Sequence, residues 1–388
     1  MLVDSVWRLT WESQEAVHSE ELFVPFNPWR EADLCPPFLA PYFEHPEPGA
    51  RFQFTLPPGE LIPLRQTDKE YSLPLGTFAS GSRPPRVGRF YPKHLLAGYF
   101  GNPIPFRCIG VENANFTADF NHPLSDKSLS LEVIIRDVKQ KRGETGGECR
   151  DWLDHLTSGP GLQARYRGRA TDFFADDPFQ REEEGNDAGF YAQPRLVSHV
   201  DTRAQAVIAA LYSRLLKPGM AVLDIMSSWQ SHLPNGLAFP RLVGLGLNEE
   251  ELRHNPRLTD HVVHDLNRDP RLPFPNGQFD AVVCSLSVEY LTRPLEVFAE
   301  AARVLKSGGL LVQTFSHRWF PPKVVRIWTE LHEFERVGLV LEYFLKSGSF
   351  CNLKTFSSRG WPRPEIDRYY PQSRFADPIY AVWGQKAA

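Results

Sequence analysis

Residues 221–234 of the chain read AVLDIMSSWQSHLP. The first five, Ala221–Ile225, form a short apolar run with a single acid, Asp224, which predicts a buried strand of a nucleotide-binding α/β fold. Such a strand usually turns into a helix through glycines, which adopt positive φ and let the backbone approach a ligand closely. This chain has larger residues there: Met226, Ser227, Ser228 and Trp229. The sequence therefore leaves two alternatives, an unusual cofactor loop or a loop whose side chains fill the former cofactor space.

The sequence on both sides of this stretch alternates between predicted helices and strands. A helix with apolar residues at helical spacing, DTRAQAVIAALYSRLL (201–216), precedes it and stops at Pro218-Gly219. The elements predicted after it are strand 241–247, helix 248–255, strand 261–266, strand 279–287, helix 293–305, strand 310–316 and a last strand, 378–386, which could run antiparallel. This alternation predicts a Rossmann-like, doubly wound parallel sheet, an α/β fold.

The first third of the chain is predicted as a separate β-rich, α+β domain, residues 1–140. Its short alternating runs, such as RFQFTLPP (51–58) and LSLEVIIRDV (129–138), are separated by turn residues. Residues 141–188 gain charge and glycine and predict a connector, with a helix from Arg150 to Leu156. Residues 189–388 form the second predicted domain, because 388 residues exceed what one hydrophobic core usually serves.

Composition excludes several classes of protein. The formal net charge of -4 does not predict a nucleic-acid-binding surface. The chain has no apolar run of about 18 residues, so we expect no membrane span. Its five cysteines include no CxxC pair, which argues against a disulfide framework or a metal site and predicts a cytoplasmic location.

Four stretches in the second domain carry a resemblance to a known family: GMAVLDIMSSWQSHLP (219–234), DHVVHDLN (260–267), LPFPNGQFDAVVCSLSVEYL (272–291) and PLEVFAEAARVLKSGGLLV (294–312). In this order they resemble the motifs of class I S-adenosylmethionine (SAM)-dependent methyltransferases, above all the methyltransferase type 11 family. The resemblance extends from about residue 190 to residue 385. It implies a transferase that binds SAM at the carboxyl ends of the strands, where open α/β sheets bind their ligands.

The resemblance also implies roles for single residues. Asp224 matches an acid near the methionine portion of SAM, and Asp265 and Leu266 match a pair that flanks the adenine. Ser285 matches a position on the pocket floor that faces the methyl group. The other residues expected at SAM are Met226, Ser227, Ser228, Trp229, Asn248 and Glu249. The chain departs from the family in its glycine-poor loop and at Gly246, where the family usually places an acid that binds the ribose.

Three residues after the fourth and fifth predicted strands are candidates for the acceptor side. Methyl transfer to a hydroxyl or amine needs an oriented acceptor and a base that takes its proton. Glu289 and Tyr290 are the predicted catalytic residues, and His317 is a further candidate. Each also has a structural interpretation, as a solvated acid, a packed ring and a surface histidine. Two aromatic and basic stretches, HRWFPPKVVRIW (317–328) and SSRGWPRP (357–364), could form a lid over this side.

The first domain resembles the closing half of an FKBP/SlyD-type peptidyl-prolyl isomerase. The resemblance is carried by DFNHPLSDKSLSLEV (119–133), in which Ser125-Asp126 replaces the Ala-Gly usual in that family. It implies an apolar cleft that binds a peptide, because such isomerases seat the X-Pro bond among aromatic rings without a nucleophile. The candidates for this cleft are Phe54, Tyr91, Phe106, Phe120 and His122. These residues are equally compatible with the core of a small β domain.

The sequence therefore leaves three functions open. The chain could be a SAM-dependent methyltransferase whose first domain binds a protein or peptide. It could be an isomerase or chaperone with a methyltransferase-like scaffold, or a partner-binding protein with neither activity. The residues retained after the first and third predicted strands favour the methyltransferase, although acids at helix N-termini also serve as caps.

Overall fold

The computed structural model describes residues 2–28, 36–79, 83–140 and 151–388. The strands of the first half are β1 (Leu2–Glu12), β2 (Ala16–Phe26), β3 (Arg51–Leu56), β4 (Glu70–Pro74), β5 (Phe90–Pro92), β6 (Pro105–Glu112), β7 (Asn115–Asp119) and β8 (Leu129–Lys139). Those of the second half are β9 (Ala221–Ile225), β10 (Arg241–Gly246), β11 (Asp260–Val263), β12 (Phe279–Ser285), β13 (Leu305–Phe315), β14 (Phe350–Arg359) and β15 (Ile379–Lys386). The helices are α1 (Trp152–Thr157), α2 (Asp187–Phe190), α3 (Thr202–Leu215), α4 (Glu249–His254), α5 (Pro294–Val304), α6 (Arg326–Glu330) and α7 (Glu333–Ser347).

Strands β9 to β15 form the predicted doubly wound sheet. Their order is β11-β10-β9-β12-β13-β15-β14, and neighbouring strands are parallel except where β15 pairs with β13 and β14. Alternate residues of a strand point to opposite faces. Val222 of β9 therefore packs with residues of α3 on one face, and Leu223 packs in the core that contains residues of α5 and α7 on the other. The Rossmann-like half of the prediction is confirmed, and its last strand is antiparallel.

The same sheet continues into the first half of the chain through β2. Residues 16–22 of β2 lie parallel to residues 353–359 of β14, and the order continues as β14-β2-β1-β8-β3. Strand β1 is antiparallel to both of its neighbours, β2 and β8. The two predicted domains, 1–140 and 189–388, therefore share one sheet, because backbone hydrogen bonds between β2 and β14 join them.

A smaller sheet, in the order β4-β7-β6-β5, is inserted between β3 and β8. Its core contains three buried aromatic rings, those of Phe78, Phe106 and Phe116. In the described part of residues 2–140 there is no α-helix, and the elements are strands and short 3-10 turns. The α+β, FKBP-like class predicted for this half is not confirmed and stays a prediction.

The predicted connector falls partly outside the described residues. Its helix begins at Trp152 and ends at Thr157, close to the predicted range of Arg150 to Leu156. Residues 141–150, and with them Arg150 and Cys149, lie outside the described ranges, as does Cys35. No helix within these ranges is long and apolar enough to cross a membrane.

The described part of the connector packs against the second half of the chain. Arg165 donates two hydrogen bonds to Glu342 of α7, at 2.6 and 2.7 Å. Asp187 of α2 accepts from Arg181 at 2.8 Å and lies 3.1 Å from the buried ammonium of Lys323. Burial of these charges is offset because each meets an opposite charge. The connector therefore holds α2 in a defined place at the edge of the second half.

The junction of β2 and β14 contains a buried imidazole. His18 of β2 has its Nδ1 2.8 Å from Oγ1 of Thr355 of β14, and its ring stacks on Trp11 with 5.1 Å between centroids. Burial, together with a smaller effect of the charge of Lys127, lowers the pKa of His18 to about 3. The imidazole is therefore neutral in the folded protein over the ordinary pH range.

We predict that this histidine makes the protein less stable in acid. In the unfolded chain it binds a proton below about pH 6.5, whereas in the folded chain it does so only near pH 3. Stability is then complete above pH 6.5 and falls with pH, by about 2 kcal/mol from this residue between pH 7 and 5. Urea unfolding at both pH values should show the loss reduced in His18→Gln and unchanged in the control His45→Gln, whose side chain is exposed. An equal pH dependence in both variants would contradict the assignment.

Candidate functional site

A cleft of about 330 Å³ opens at the carboxyl ends of β9, β10, β11 and β12. Parallel strands end at one edge of the sheet, so the residues that follow them meet there, as in other open α/β sheets. The volume lies within the range of about 300–1,000 Å³ that is usual for small-molecule sites. The residues predicted at SAM that line the cleft are Asp224, Met226, Ser227, Ser228, Trp229, Asn248, Asp265, Leu266 and Ser285. Of the predicted set, Glu249 alone is not among the lining residues.

The loop after β9 leaves the cleft open despite its large side chains. Met226 adopts φ 54°, the left-handed region that favours glycine, and its half-buried side chain packs against the core beside the sheet. Trp229 is half-buried, and its indole N–H donates to the carbonyl of Val197 at 3.2 Å. Both residues form part of the cleft wall. Of the two alternatives, the structure therefore shows a loop that lines the cleft.

Close backbone packing explains why β10 ends without an acid. A Cβ at Gly246 would lie 2.2 Å from the carbonyl oxygen of Ser227, so no side chain can be accommodated there. The contact is held by a hydrogen bond from the Ser227 N–H to the carbonyl of Leu245, at 2.8 Å. Strand β10 and the loop after β9 are therefore too close for any residue but glycine at position 246.

The cleft also contains the carboxylate of Glu251, which was not predicted from the sequence. It lines the cleft from α4, accepts from Ser228 Oγ and from the backbone N–H of Arg195, both at 2.7 Å, and is half-buried. Asn248 caps α4 and donates to the carbonyl of Tyr191, so its amide is used to position the backbone. Glu249 points away and pairs with Arg253 on the surface. Glu251 lies two positions after Glu249 and therefore on a different face of α4. The sequence showed both acids but could not decide which face of the helix meets the cleft.

Asp224 is the most deeply buried acid of the cleft, with 2% of its surface exposed. Its Oδ2 accepts a hydrogen bond from Ser227 Oγ at 2.7 Å. Burial raises the pKa of Asp224 to about 7, because it removes the carboxylate from water, while hydrogen bonds from Ser227 and Ser231 act in the opposite direction. The group can therefore be either protonated or ionised near neutral pH, depending on what binds beside it.

Asp265, Leu266 and Ser285 also line the cleft. Asp265 Oδ1 accepts from the backbone of Asn267 at 3.0 Å, and its Oδ2 accepts from no described residue. Leu266 is buried beside it and presents an apolar surface to the cleft. Ser285 lies 2.7 Å, Oγ to Oη, from Tyr212, which holds the hydroxyl at the end of β12.

The predicted catalytic residues are separated by the structure. Tyr290 lines the cleft, its phenolic oxygen accepts from the backbone N–H of Phe320 at 2.8 Å, and burial raises its pKa well above the usual value. Glu289 is buried behind the cleft, not among the lining residues, and burial raises its pKa to about 8. His317 lies outside the cleft, 3.7 Å from Asp377. Only Tyr290 of the three can touch a ligand there, and its ring positions Phe320.

The cleft also contains residues that no sequence motif indicated. His199 lines it from the segment before α3, and its ring meets Phe320 edge to face. Burial lowers the pKa of His199, which favours its neutral imidazole. Arg318 and Trp319 from the predicted lid stretch 317–328 also line the cleft. The second predicted lid stretch, 357–364, does not reach the cleft, whereas Arg368 and Tyr369 after it do.

The structure gathers three of the five predicted peptide-binding residues. Tyr91, Phe106 and Phe120 pack in one aromatic cluster of the smaller sheet, with centroids about 6 Å apart. Phe54 lies on β3 and packs instead against Phe38 and Tyr42. His122 shapes a turn, where its Nδ1 accepts from the N–H of Leu124 and its Nε2 lies 3.0 Å from the carbonyl of Thr157. The five residues therefore do not line one common cleft. In the described residues, no group of three or more His, Cys, Asp and Glu side chains is placed to hold a metal ion.

The comparison with protein families agrees with the second half of the fold. Residues 232–313 match the family described as a methyltransferase domain. This stretch contains β10, β11 and β12 and the cleft residues that follow them, and it begins after the loop of Met226 and Trp229. The predicted methyltransferase domain is confirmed for this part of the chain.

Proteins similar to this chain include two methyltransferases and a peptidyl-prolyl isomerase. A demethylmenaquinone methyltransferase of Renibacterium salmoninarum is 34% identical over 111 residues, which are 27% of this chain and 45% of that protein. A ubiquinone/menaquinone biosynthesis C-methyltransferase of Paraburkholderia xenovorans is 32% identical over 148 residues, 35% of this chain and 58% of that protein. A short-type peptidyl-prolyl cis-trans isomerase of Methanocaldococcus jannaschii is 31% identical over 98 residues, 25% of this chain and 57% of that protein. The chain spans about half the length of these relatives.

We predict that Gly246→Ala disrupts the cleft wall. The added methyl group would meet a backbone oxygen, which cannot rotate away, so the loop after β9 must move. Overpacking of this kind costs about 1–3 kcal/mol, measurable as a lower midpoint of urea unfolding. The control is Gly236→Ala, since no atom lies within 4 Å of a Cβ built there. A stability of Gly246→Ala equal to that of the control would show that the close contact is not required.

Proposed function

We propose that the chain is a SAM-dependent methyltransferase that uses the cleft at the ends of β9 to β12. The observation that carries the proposal is that nine of the ten residues predicted at SAM line this one cleft. The family match over residues 232–313, and the names of two of the relatives, support it. SAM, when bound, supplies an electrophilic methyl group that an acceptor nucleophile takes in line with the departing sulfur.

The cleft residues fit the parts of this cofactor. Asp224, with Ser227 beside it, offers a buried acid for the amine of the methionine portion. Glu251 supplies the carboxylate for the ribose hydroxyls, in place of the acid that Gly246 cannot carry, because each of its oxygens keeps a second acceptor position. Asp265 Oδ2 and the apolar face of Leu266 suit an adenine edge and ring. Glu251 of α4 thus supplies the carboxylate that position 246 at the end of β10 does not.

The other end of the cleft suits an acceptor molecule with an aromatic or acidic character. Trp319 and Phe320 provide aromatic surface, and Arg318 provides positive charge. His199, neutral because of its burial, can take the proton of the acceptor. Tyr290 positions Phe320, because its hydroxyl accepts a hydrogen bond from the backbone N–H of Phe320. Glu289 takes no direct part in the reaction, because it is not among the residues that line the cleft. His199 is therefore the better candidate for the base.

A calorimetric titration with SAM tests the proposal. We expect saturable binding that is at least tenfold weaker in Glu251→Gln, because a hydrogen bond to a charged group contributes about 1.5–3 kcal/mol. Glu249→Gln is the matched control, since Glu249 lies two positions away on the same helix but faces solvent. Its affinity should equal that of the unchanged protein. The absence of both binding heat and thermal stabilisation, in protein shown to be folded, would refute the proposal.

A second function is favoured by one observation in the first half. The aromatic cluster that contains Tyr91, Phe106 and Phe120, together with the similarity to a peptidyl-prolyl isomerase, supports a site for a proline-containing peptide. We propose that this half binds a protein or peptide, as a partner or as the methyl acceptor. A cytoplasmic location and the absence of nucleic acid among the partners remain predictions from the sequence.

Refolding of a protein that is limited by proline isomerisation tests this second function. Uncatalysed isomerisation takes tens to hundreds of seconds, so a catalyst shortens the slow phase measurably. We expect acceleration by the unchanged chain, a loss of it in Phe120→Ala, and no change in the control Phe54→Ala, which lies outside the cluster. An unaltered slow phase with the unchanged chain would eliminate the isomerase.

A further inference from the structure

A second cleft, of about 270 Å³, lies on the first half of the chain, apart from the proposed SAM site. Its wall includes β6, the segment 119–127 that begins at the end of β7, and the connector around residues 165–167, and it is completed by Gln14, Arg65 and Phe90. Segments that are distant in sequence therefore meet there. We call it the Arg107 cleft, after the buried arginine in its wall.

Arg107 is a buried cation without a carboxylate partner. Its residue is 7% exposed, and its Nη2 donates to the backbone carbonyl of Ala164 at 2.9 Å. The Nε is buried with no hydrogen-bond partner, and Nη1 donates to no described residue. The guanidinium lies over the ring of Phe90, 4.1 Å from its centroid. Burial lowers the pKa of Arg107 to about 10, which still leaves it charged at neutral pH.

Two of the other buried arginines meet an acid directly, whereas Arg336 donates its Nε to the carbonyl of Trp328 and forms no ion pair with a described residue. Arg89 donates to Glu335 at 2.9 Å, and Arg363 donates to Asp377 at 2.7 Å. The residue opposite Arg107 in the sheet, Asp119, is also an acid. Its carboxylate, however, accepts from Arg65 and from the backbone of Asn121, not from Arg107. A buried charge is costly unless it is paired.

The other charged residues of the cleft leave an excess of positive charge. Arg165 is matched by Glu342, and Arg65 is matched by Asp119 and Glu70. Lys127 and Arg167 line the cleft and form no ion pair with any described residue, and Asp126 is exposed at its edge. The cleft therefore presents one buried and two rim cations against a single free carboxylate.

We infer that the Arg107 cleft is a binding site for a small oxyanion, a carboxylate or a phosphate group. Nε and Nη1 of Arg107 donate to no described residue, and a charged N–H group is a strong hydrogen-bond donor to the oxygens of such a group. Lys127 and Arg167 add charge at the entrance, and Tyr166 and Phe90 close the sides. Because the wall joins β6 to the connector, the bound anion holds the connector against the smaller sheet.

Titration of the full chain with inorganic phosphate and with acetate, at constant ionic strength against chloride, tests the inference. We expect a saturable rise in melting temperature with at least one of the two anions, and a calorimetric Kd at least tenfold higher in Arg107→Gln. Stabilisation by phosphate alone identifies a phosphate group, and stabilisation by acetate identifies a carboxylate. The control is Arg136→Gln, which removes one exposed charge from β8 outside the cleft and should keep the Kd of the unchanged protein.

Absence of saturable binding with both anions would overturn the inference, as would equal affinity in Arg107→Gln and the control. If Arg107→Gln does not fold, the double variant Lys127→Gln/Arg167→Gln serves instead, since these side chains sit at the partly exposed rim. Its Kd should rise at least severalfold, and a Kd equal to that of the unchanged protein would overturn the inference. Neither outcome depends on whether the chain binds SAM.

Discussion

The parallel pairing of β2 with β14 is the constraint on which the arrangement of the chain depends. It makes the edge of the doubly wound sheet into an interior strand, so β2, β1, β8 and β3 continue one set of backbone hydrogen bonds. Exposed sheet edges tend to pair with other chains, and this pairing covers one of them. The smaller sheet and the connector are then held against the second half, where buried ion pairs such as Arg89 with Glu335 complete the contact.

Within the second half, the cleft depends on the approach of two backbones. The carbonyl of Ser227 lies over Gly246, so the loop after β9 lies against β10 although it contains Met226 and Trp229. Gly246 of the neighbouring strand β10 thus permits the close backbone packing that glycines in the loop itself would otherwise permit. Gly246 has no side chain to offer the cleft, and Glu251 brings a carboxylate to it from α4.

Residues next to strand ends could be predicted because position along a parallel strand decides position at the edge of the sheet. Asp224, Asp265 and Ser285 were found in this way, and they line the cleft. Glu251 and His199 could not be found, because helix rotation and the path of the segment before α3 decide where they point. For the same reason, Glu249 was predicted in the cleft and faces solvent instead. Rings also have no unique sequence signature, so Phe54 was grouped with an aromatic cluster that it does not join.

By itself, the sequence determined the alternation of strands and helices, the buried strand with Asp224, and the motifs that resemble a methyltransferase. These follow from local periodicity, which depends on near neighbours in the chain. Only the tertiary structure decided that Met226 and Trp229 line an open cleft, that the two halves share one sheet, and that Arg107 is buried with its Nε unpaired. Each of these depends on contacts between residues far apart in the chain, and periodicity carries no information about them.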